Sequence, residues 1–335
     1  MGRESWIRAA GLMGVALLLF TLALSLACGG NGGEPQPTPT SPAQVSEFEV
    51  VQDAVDDYLA DKAAGKNGGN IAAVDLYALL NDGDPGNDPY IVSCRSAADY
   101  ANGHIPGAVN LGSFSELSSL PKDEDILVYC YTGQSASAAT AVLGTMGYDV
   151  QNLLHGMSSW TTESAVYVSR FDAATHQNDY AVETSANTAS GGNEYPEIEN
   201  TTSTDEDAII EAAATTVSPQ YIDASDLYAL LNDGDPDTDP FIIDCRSADD
   251  YAAGHVPGAV NIGIGSLADS LDKLPADETI VVYCYTGHTA NHAAAVLNML
   301  GYDAKSLKFG FCSWSSTATK CFDAATAAHD YDVES

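Results

Sequence analysis

The stretch CRSAADYANGHIPGAVN at residues 94–110 returns as CRSADDYAAGHVPGAVN at residues 245–261, and this repetition decides the fold. Further blocks repeat around it in the same order. They are DLYALLNDGDP at 75–85 and 226–236, YCYTG at 129–133 and 283–287, MGYD at 146–149 with LGYD at 300–303, Gly156 with Gly310, and Trp160 with Trp314. A repeat this long indicates duplication of a whole domain rather than a solenoid of small units.

The join between the two copies is predicted within residues 183–205, a polar and acidic stretch rich in Gly, Ser and Thr that is typical of a linker. This places the first domain at residues 46–182 and the second at residues 206–335. In each domain, short apolar runs typical of buried strands alternate with helical patterns. Such alternation predicts α/β domains, each with a central, mostly parallel sheet flanked by helices.

The charge balance restricts the partners of the protein. Its 335 residues include 47 Asp and Glu against 12 Lys and Arg, which gives a formal net charge of -35. Nucleic acid is therefore not an expected partner, because phosphate binding depends on clustered cations. Anionic membrane surfaces should also repel the folded body. The acidity is most simply a solubility device.

The first 28 residues have the pattern of an export signal, with Arg3 and Arg8 ahead of an uncharged apolar run at 9–27. This run leads into LSLAC, which is similar to a bacterial lipoprotein signal in which Cys28 becomes the lipidated first residue. Residues 29–45 would then form a flexible linker. An uncleaved membrane anchor and ordinary signal cleavage stay open as alternatives. All three predict an extracytoplasmic body, and the lipoprotein interpretation, which we favour, predicts a body tethered to a membrane of the cell envelope or periplasm.

Each copy places a cysteine, Cys130 or Cys284, at the end of a predicted buried strand, and a short loop then leads into a helix. The loop residues are Tyr131, Thr132, Gly133, Gln134, Ser135 and Ala136 in the first copy and Tyr285, Thr286, Gly287, His288, Thr289 and Ala290 in the second. In α/β sheets, functional groups gather at the carboxyl ends of strands. A strand–loop–helix turn also aims several N–H groups at one point, which stabilises a thiolate and would hold an oxyanion or a persulfide sulfur.

At these residues the chain resembles the rhodanese family. The resemblance rests on D-x-R…D-Y-x-x-G-H-[IV]-P-G-A-x-N and on the later C-x-x-G-x-[ST] loop, which recur in the same order in both copies except for the first aspartate, which only the second copy has. It implies a sulfurtransferase in which Cys130 and Cys284 take a sulfane sulfur from a small donor and become persulfides. The sulfur then passes to a thiol or cyanide-like acceptor. The implied mechanism needs no cofactor, and no Cys or His spacing in the sequence is typical of a metal site.

The resemblance also assigns supporting residues. Arg95 and Arg246 match the arginine of the D-x-R motif, and we expect them to pair with Asp99 and Asp250 and to brace the loop. The histidines of the G-H-x-P-G turn, at 104 and 255, are expected to cap a turn rather than to transfer protons.

The sequence departs from the family pattern in three ways. The D-x-R aspartate is Asp244 in the second copy but Ser93 in the first, which puts the geometry of the first site in question. Neither cysteine loop contains Lys or Arg, which suit a dianionic donor such as thiosulfate, so a persulfide or polysulfide is the better expected donor. Both copies also keep the cysteine, as if two single-domain members were joined in series.

Four other cysteines lie in the two copies. Cys94 and Cys245 are expected to be core residues, with a resolving or disulfide-forming role as the less favoured alternative. Cys312 and Cys321 occur only in the second copy and are compatible with a local disulfide in an oxidising compartment, although connectivity cannot be deduced from sequence.

Three other functions compete with sulfur transfer as interpretations of the sequence. A phosphatase or arsenate reductase of related fold needs an arginine about five residues beyond the cysteine, and neither loop has one. A non-catalytic module that binds a sulfur species or a protein at the membrane stays open. So does a redox relay through pairs of cysteines.

Overall fold

The computed structural model describes residues 46–335, so the predicted signal sequence, Cys28 and the linker at 29–45 lie outside the described residues. Within residues 46–335, no helix combines the length and the apolar character needed to cross a membrane. The described residues form two α/β halves that follow the two copies of the sequence.

The first half alternates strands with helices. Its elements are α1 (Glu47–Ala63), β1 (Asn70–Ile71), α2 (Ala73–Leu80), β2 (Tyr90–Ser93), α3 (Ala97–Asn102), β3 (Val109–Asn110), a 3-10 helix (Phe114–Ser119), β4 (Ile126–Tyr129), α4 (Gln134–Thr145), β5 (Val150–Leu153), α5 (Met157–Trp160), α6 (Ser164–Tyr167) and α7 (Ala173–His176).

The second half repeats this order. Its elements are α8 (Glu206–Thr216), β6 (Tyr221–Ile222), α9 (Ala224–Leu230), a 3-10 helix (Pro236–Thr238), β7 (Phe241–Asp244), α10 (Ala248–Ala253), β8 (Val260–Asn261), two 3-10 helices (Ile264–Ser266 and Ala268–Lys273), β9 (Ile280–Tyr283), α11 (His288–Met299), β10 (Ala304–Leu307), α12 (Phe311–Trp314) and α13 (Ala324–Ala327).

Each half contains a five-stranded sheet, in the order β1-β5-β4-β2-β3 or β6-β10-β9-β7-β8, and all its pairs are parallel. The central strands β4 and β9 are buried along their whole length, which explains their uninterrupted apolar sequences ILVY and IVVY. The prediction of two α/β domains with parallel sheets is confirmed. In register, Ser93 lies beside Tyr129, and Asp244 lies beside Tyr283.

The two halves share one hydrophobic core. Helices α4 and α11, which follow the two cysteines, pack against each other, and their buried faces belong to a single cluster with residues of both sheets. Helix α1 contacts the 3-10 helices at 264–266 and 268–273 of the second half, while α8 contacts the 3-10 helix at 114–119 of the first. Both cysteine loops therefore lie beside the contact between the halves.

The end of each half lies on the other half. We call residues 177–187 the first tail and residues 328–335 the second tail; they overlap the repeated sequences FDAATHQNDYAVE at 171–183 and FDAATAAHDYDVE at 322–334. The first tail donates from Tyr180 N to Trp314 O at 3.1 Å, and the second donates from Tyr331 N to Trp160 O at 3.1 Å. The predicted linker at 183–205 begins inside the first tail, where Glu183 pairs with His255.

Candidate functional site

Cys130 and Cys284 lie directly after the buried strands β4 and β9, and each is followed by a turn into a long helix. The N–H of Gly133 donates to Cys130 Sγ at 3.1 Å, and the N–H of Gly287 donates to Cys284 Sγ at 3.2 Å. Both glycines have left-handed backbones, with φ of 80° and 89°, which a side chain would strain. Each sulfur thus lies at the N-terminus of a twelve-residue helix, where peptide dipoles favour an anion.

A second glycine lies against the backbone carbonyl of each cysteine. A Cβ on Gly156 or Gly310 would lie 2.4 Å from the carbonyl oxygen of Cys130 or Cys284. The backbone that follows donates to those same carbonyls, at 2.9 Å from Met157 N and 2.7 Å from Phe311 N. Gly156 and Gly310 recur in the sequence, but the sequence alone did not show that they let the backbone approach the cysteine turn.

Some of the remaining loop residues make polar contacts, and others pack in the core. Thr132 accepts from the Gln134 side chain at 3.4 Å, and Thr286 lies 2.7 Å from His288 Nδ1. Ala136 and Ala290 belong to the shared core. Ser135 and Thr289 lie in the first turns of α4 and α11, beside the cysteines.

The expected pairing of Arg95 with Asp99 and of Arg246 with Asp250 is wrong. Asp99 accepts the phenol hydrogen bond of Tyr131, and Asp250 accepts that of Tyr285 at 2.7 Å. These hydrogen bonds hold the pKa of Asp99 below its usual range, and the pKa of Asp250 is lowered first by Lys320 at 2.9 Å and then by Ser247 and Tyr285. The two aspartates therefore anchor the loop tyrosines, which lie next to the cysteines in the chain.

The arginines take partners of their own, which differ between the halves. Arg246 pairs with the fully buried carboxylate of Asp244 at 2.6 Å, and Tyr283 donates to the same carboxylate at 2.7 Å. Both arginines also donate to an equivalent backbone carbonyl, that of Gly103 or Gly254. Arg95, which has Ser93 at the aspartate position, donates to the carbonyl of Val166 at 2.9 Å in place of the carboxylate. Within residues 46–335, Arg95 Nε has no hydrogen-bond partner. Asp244 is thus the counter-ion of the buried Arg246. Ser93 supplies no charge to Arg95, which is the physical reason to expect a different geometry at the first site.

The two cysteine loops contact each other across the boundary between the halves. Phe309 N donates to Gln134 Oε1 at 3.2 Å, and His155 N donates to His288 Nε2 at 3.2 Å. Gln134 and His288 are equivalent positions in the two copies, as are His155 and Phe309, so the contact is reciprocal. Burial lowers the pKa of His288 to about 3 and that of His155 to about 4, so both rings are neutral near neutral pH. Alignment of the two copies shows that the residue types at these positions differ between the copies. It does not show that the positions are in contact, which follows only from the fold.

One residue of the second half reaches the first site. The phenol of Tyr221, on the edge strand β6, interacts with Ser135 near Cys130 and Cys94. Partial removal of the phenol from water there raises its pKa, while Tyr221 as a whole stays 38% exposed. The equivalent residue on β1 is the shorter Asn70. Cys130 is 2% exposed and Cys284 is 7% exposed.

The other expectations have clear outcomes. Cys312 and Cys321 form a disulfide, with their Cα atoms 5.6 Å apart. Cys94 and Cys245, expected in the core, are partly buried free thiols that pack against the shared core. His104 and His255 lie at the C-terminal ends of α3 and α10, with Nδ1 3.0 and 2.9 Å from helix carbonyls, which agrees with a capping role.

No group of His, Cys, Asp and Glu within residues 46–335 is arranged to hold a metal ion.

Comparison with known proteins identifies the repeated fold. Thiosulfate sulfurtransferase GlpE of Pseudomonas fluorescens is 36% identical over 77 residues, which are 23% of this chain and 71% of that protein. An HTH-type transcriptional regulator of Mycobacterium tuberculosis is 34% identical over 90 residues, 26% of this chain and 40% of that protein. The chain therefore spans well under half of that regulator.

A solved thiosulfate sulfurtransferase of Pseudomonas aeruginosa aligns over 84% of this chain and 48% of that chain, with 16% identity and a TM-score of 0.28. The model of the rhodanese-like domain matches residues 72–163 and again residues 223–317, one match in each half. The chain thus belongs to the rhodanese family and carries two rhodanese-like domains in tandem.

Proposed function

We propose that the protein is a sulfurtransferase that carries sulfane sulfur as a persulfide on Cys130 and on Cys284. The observation that carries this proposal is the same in both halves: a buried cysteine sulfur accepts an N–H at 3.1 or 3.2 Å at the N-terminus of a helix. This environment favours the anionic forms of sulfur, which are the reactive ones.

The reaction has two balanced steps. In the first, the cysteine thiolate attacks the outer sulfur of a donor R–S–S⁻, so that a new S–S bond forms and R–S⁻ leaves. In the second, an acceptor thiolate or cyanide attacks the outer sulfur of the persulfide, and the cysteine leaves as the original thiolate. Splitting the transfer between two covalent steps lets one site serve unlike donors and acceptors.

The surroundings of the sulfurs favour a donor of low charge. The polar side chains in the two loops are neutral, since burial keeps His288 uncharged near neutral pH. Lys320, which lies over the Tyr285 ring, is already paired with Asp250 at 2.9 Å. A dianion such as thiosulfate would gain no free cation there, so a persulfide or polysulfide is the preferred donor.

The proposal includes an extracytoplasmic place of work, with the chain tethered to a membrane through its N-terminal region. Support comes from the signal-like sequence of residues 1–28 with Cys28 and from the Cys312–Cys321 disulfide, since disulfides persist mainly in oxidising compartments. Labelling of the intact producing cell with a lipid precursor tests this part. Incorporation that is lost in Cys28→Ser supports the lipid tether, and unchanged incorporation in the variant contradicts it.

The activity itself is tested by steady-state kinetics with thiosulfate and with a persulfide donor, on the wild type, Cys130→Ser, Cys284→Ser and the double variant. We expect the double variant to be inactive and the persulfide donor to be preferred. Cys130→Ser should keep more activity than Cys284→Ser, because the second site keeps the Asp244–Arg246 pair and the more exposed sulfur.

Activity in the double variant equal to that of the wild type would remove the assignment. A wild type that binds a persulfide donor but never forms protein persulfide would favour the non-catalytic binding module instead.

A further inference from the structure

Each half places a second free thiol beside the proposed sulfur carrier. Ser93 lies opposite Tyr129 in the register of β2 and β4, so the next residues along the two chains, Cys94 and Cys130, are neighbours at the carboxyl ends of adjacent parallel strands. The backbone continues this pairing, since Cys94 N donates to Tyr129 O at 2.8 Å. Adjacent strands lie about 4.8 Å apart, which is inside the Cα–Cα range of about 4.4–6.8 Å that a disulfide spans.

The second half repeats the arrangement. Asp244 lies opposite Tyr283, Cys245 N donates to Tyr283 O at 2.8 Å, and Cys245 and Cys284 are therefore neighbours as well. In both halves the two side chains point to the same face of the sheet, because all four cysteines contact the shared core. All four are free thiols, and Cys94 and Cys245 are only partly buried.

We propose that Cys94 and Cys245 are resolving thiols that convert the persulfides on Cys130 and Cys284 into intramolecular disulfides and release hydrosulfide. This inference rests on the proposed function, because it starts from the persulfide. The sulfur of Cys94 attacks Sγ of Cys130, the Cys94–Cys130 bond forms, and the bond between Sγ and the outer sulfur breaks. The outer sulfur leaves as HS⁻ and takes the proton of the Cys94 thiol, so one thiol and one persulfide anion give one disulfide and one hydrosulfide ion.

The electrostatics of the pair fit this proton balance. Burial and, second, the neighbouring Cys130 raise the pKa of Cys94, and burial followed by Cys284 and Asp244 raises that of Cys245. The resolving thiol therefore enters the step protonated and must transfer its proton to the outer sulfur as its own sulfur attacks Sγ, because only the thiolate is nucleophilic. In the step the sulfane sulfur is reduced to hydrosulfide and the cysteine pair is oxidised, so a second turnover requires an external dithiol reductant to reopen the disulfide.

The test is a single turnover without added thiol. The full chain is reduced, freed of reductant, and mixed with one equivalent per site of a small organic persulfide; hydrosulfide release and non-reducing peptide masses are then followed. For the wild type we expect linked peptides for 94–130 and 245–284. Cys94→Ser should lose the first link and half of the hydrosulfide, while the unchanged second half serves as the internal control. Cys94→Ser/Cys245→Ser should hold its sulfur on Cys130 and Cys284.

The possible failures are distinct. A wild type that loads sulfur but forms neither link overturns the resolving role and leaves the sulfurtransferase proposal standing. Sulfur found on Cys94 or Cys245 also overturns it, because the thiol would then receive sulfur rather than displace it. A wild type that never loads sulfur removes the proposed function and the resolving role together.

Discussion

The two domains treat the same buried arginine in different ways. In the second, the Asp244 carboxylate accepts from the side chain and the backbone N–H of Arg246 and also from the phenol of Tyr283. In the first, Ser93 takes the aspartate position, and Arg95 reaches two backbone carbonyls, one of them that of Val166 in α6. Helix α6 belongs to a segment that is longer in the first copy than in the second. This longer segment thus supplies one acceptor, the Val166 carbonyl, where the carboxylate is missing, while the carbonyl of Gly103 has its counterpart in that of Gly254.

Both halves keep a buried arginine, whereas the acceptors of its side-chain hydrogen bonds differ. A carboxylate is therefore one way, and not the only way, to satisfy this arginine. A buried guanidinium needs acceptors, and carbonyl oxygens give it hydrogen bonds without a second buried charge. The cysteine turn above keeps the same geometry in both halves, to within 0.1 Å in its hydrogen bond to sulfur (3.1 against 3.2 Å). Substitutions at equivalent positions of the two halves can show which of their differences affect stability and the reactivity of the cysteines.

The largest effect is expected at the aspartate position. Asp244→Ala leaves Arg246 buried without its counter-ion and should lower the free energy of unfolding by about 3–5 kcal/mol. The matched change Ser93→Ala removes the 3.4 Å hydrogen bond from Arg95 N and the interaction with the Tyr129 phenol, neither of which involves a buried carboxylate, and should cost about 1 kcal/mol. Denaturant unfolding of both variants measures the difference. Equal losses would mean that the arginine in the second half does not depend on the carboxylate.

The next effect belongs to the disulfide, which only the second half has. Cys312→Ser/Cys321→Ser should lower the free energy of unfolding by about 3 kcal/mol, because closing this short loop restricts the unfolded chain. The control is Ser158→Ala at the position equivalent to Cys312, where a hydroxyl donates to Tyr131 O at 2.7 Å and its loss should cost about 1 kcal/mol. A double variant as stable as the wild type would show that the bridge adds nothing to the fold.

A smaller, pH-dependent effect is expected at the loop contact. His288 is buried with its pKa lowered to about 3, so the unfolded chain binds a proton there between about pH 6.5 and 3 while the folded chain does not. Stability should therefore fall as pH drops through this window. His288→Gln, which introduces the residue found at position 134, should remove this pH-dependent loss of stability. The free energy of unfolding of the variant minus that of the wild type should therefore be about 1–2 kcal/mol larger at pH 5 than at pH 8.

Unfolding curves at the two pH values give the answer for His288. A difference between wild type and His288→Gln that does not change with pH would show that the ring is protonated in the folded protein as well.

The smallest change concerns access to the sulfurs. Tyr221→Ala should expose Cys130 and speed its alkylation several-fold, with Cys284 as the reference thiol in the same molecule. Asn70→Ala, at the equivalent position, should leave the alkylation rate of Cys284 nearly unchanged, because the side chain of Asn70 is shorter than that of Tyr221. Peptide mass spectrometry after timed alkylation reads both rates. An unchanged ratio of the two rates would exclude Tyr221 as the cover of the first site.

The sequence predicts the parts of this structure that are repeated and local. The parallel strands, the cysteine turns with Gly133 and Gly287, and the two-domain order follow from short patterns with known backbone preferences. The partners of Arg246 and Asp250 do not follow, because several acidic residues lie within reach in sequence and only the fold selects among them. Tyr221 and the Gln134–Phe309 contact lie between residues far apart in the chain, where sequence patterns carry little information.

The exchanged tails bear on how such a chain arises. Both tails contain the pattern D-Y-x-V-E and make equivalent backbone contacts with the other half, so one copy alone would hold both a tail and an uncovered contact surface for it. Two identical copies could then complete each other as a swapped homodimer. Joining them end to end makes that association intramolecular, so that it no longer depends on protein concentration.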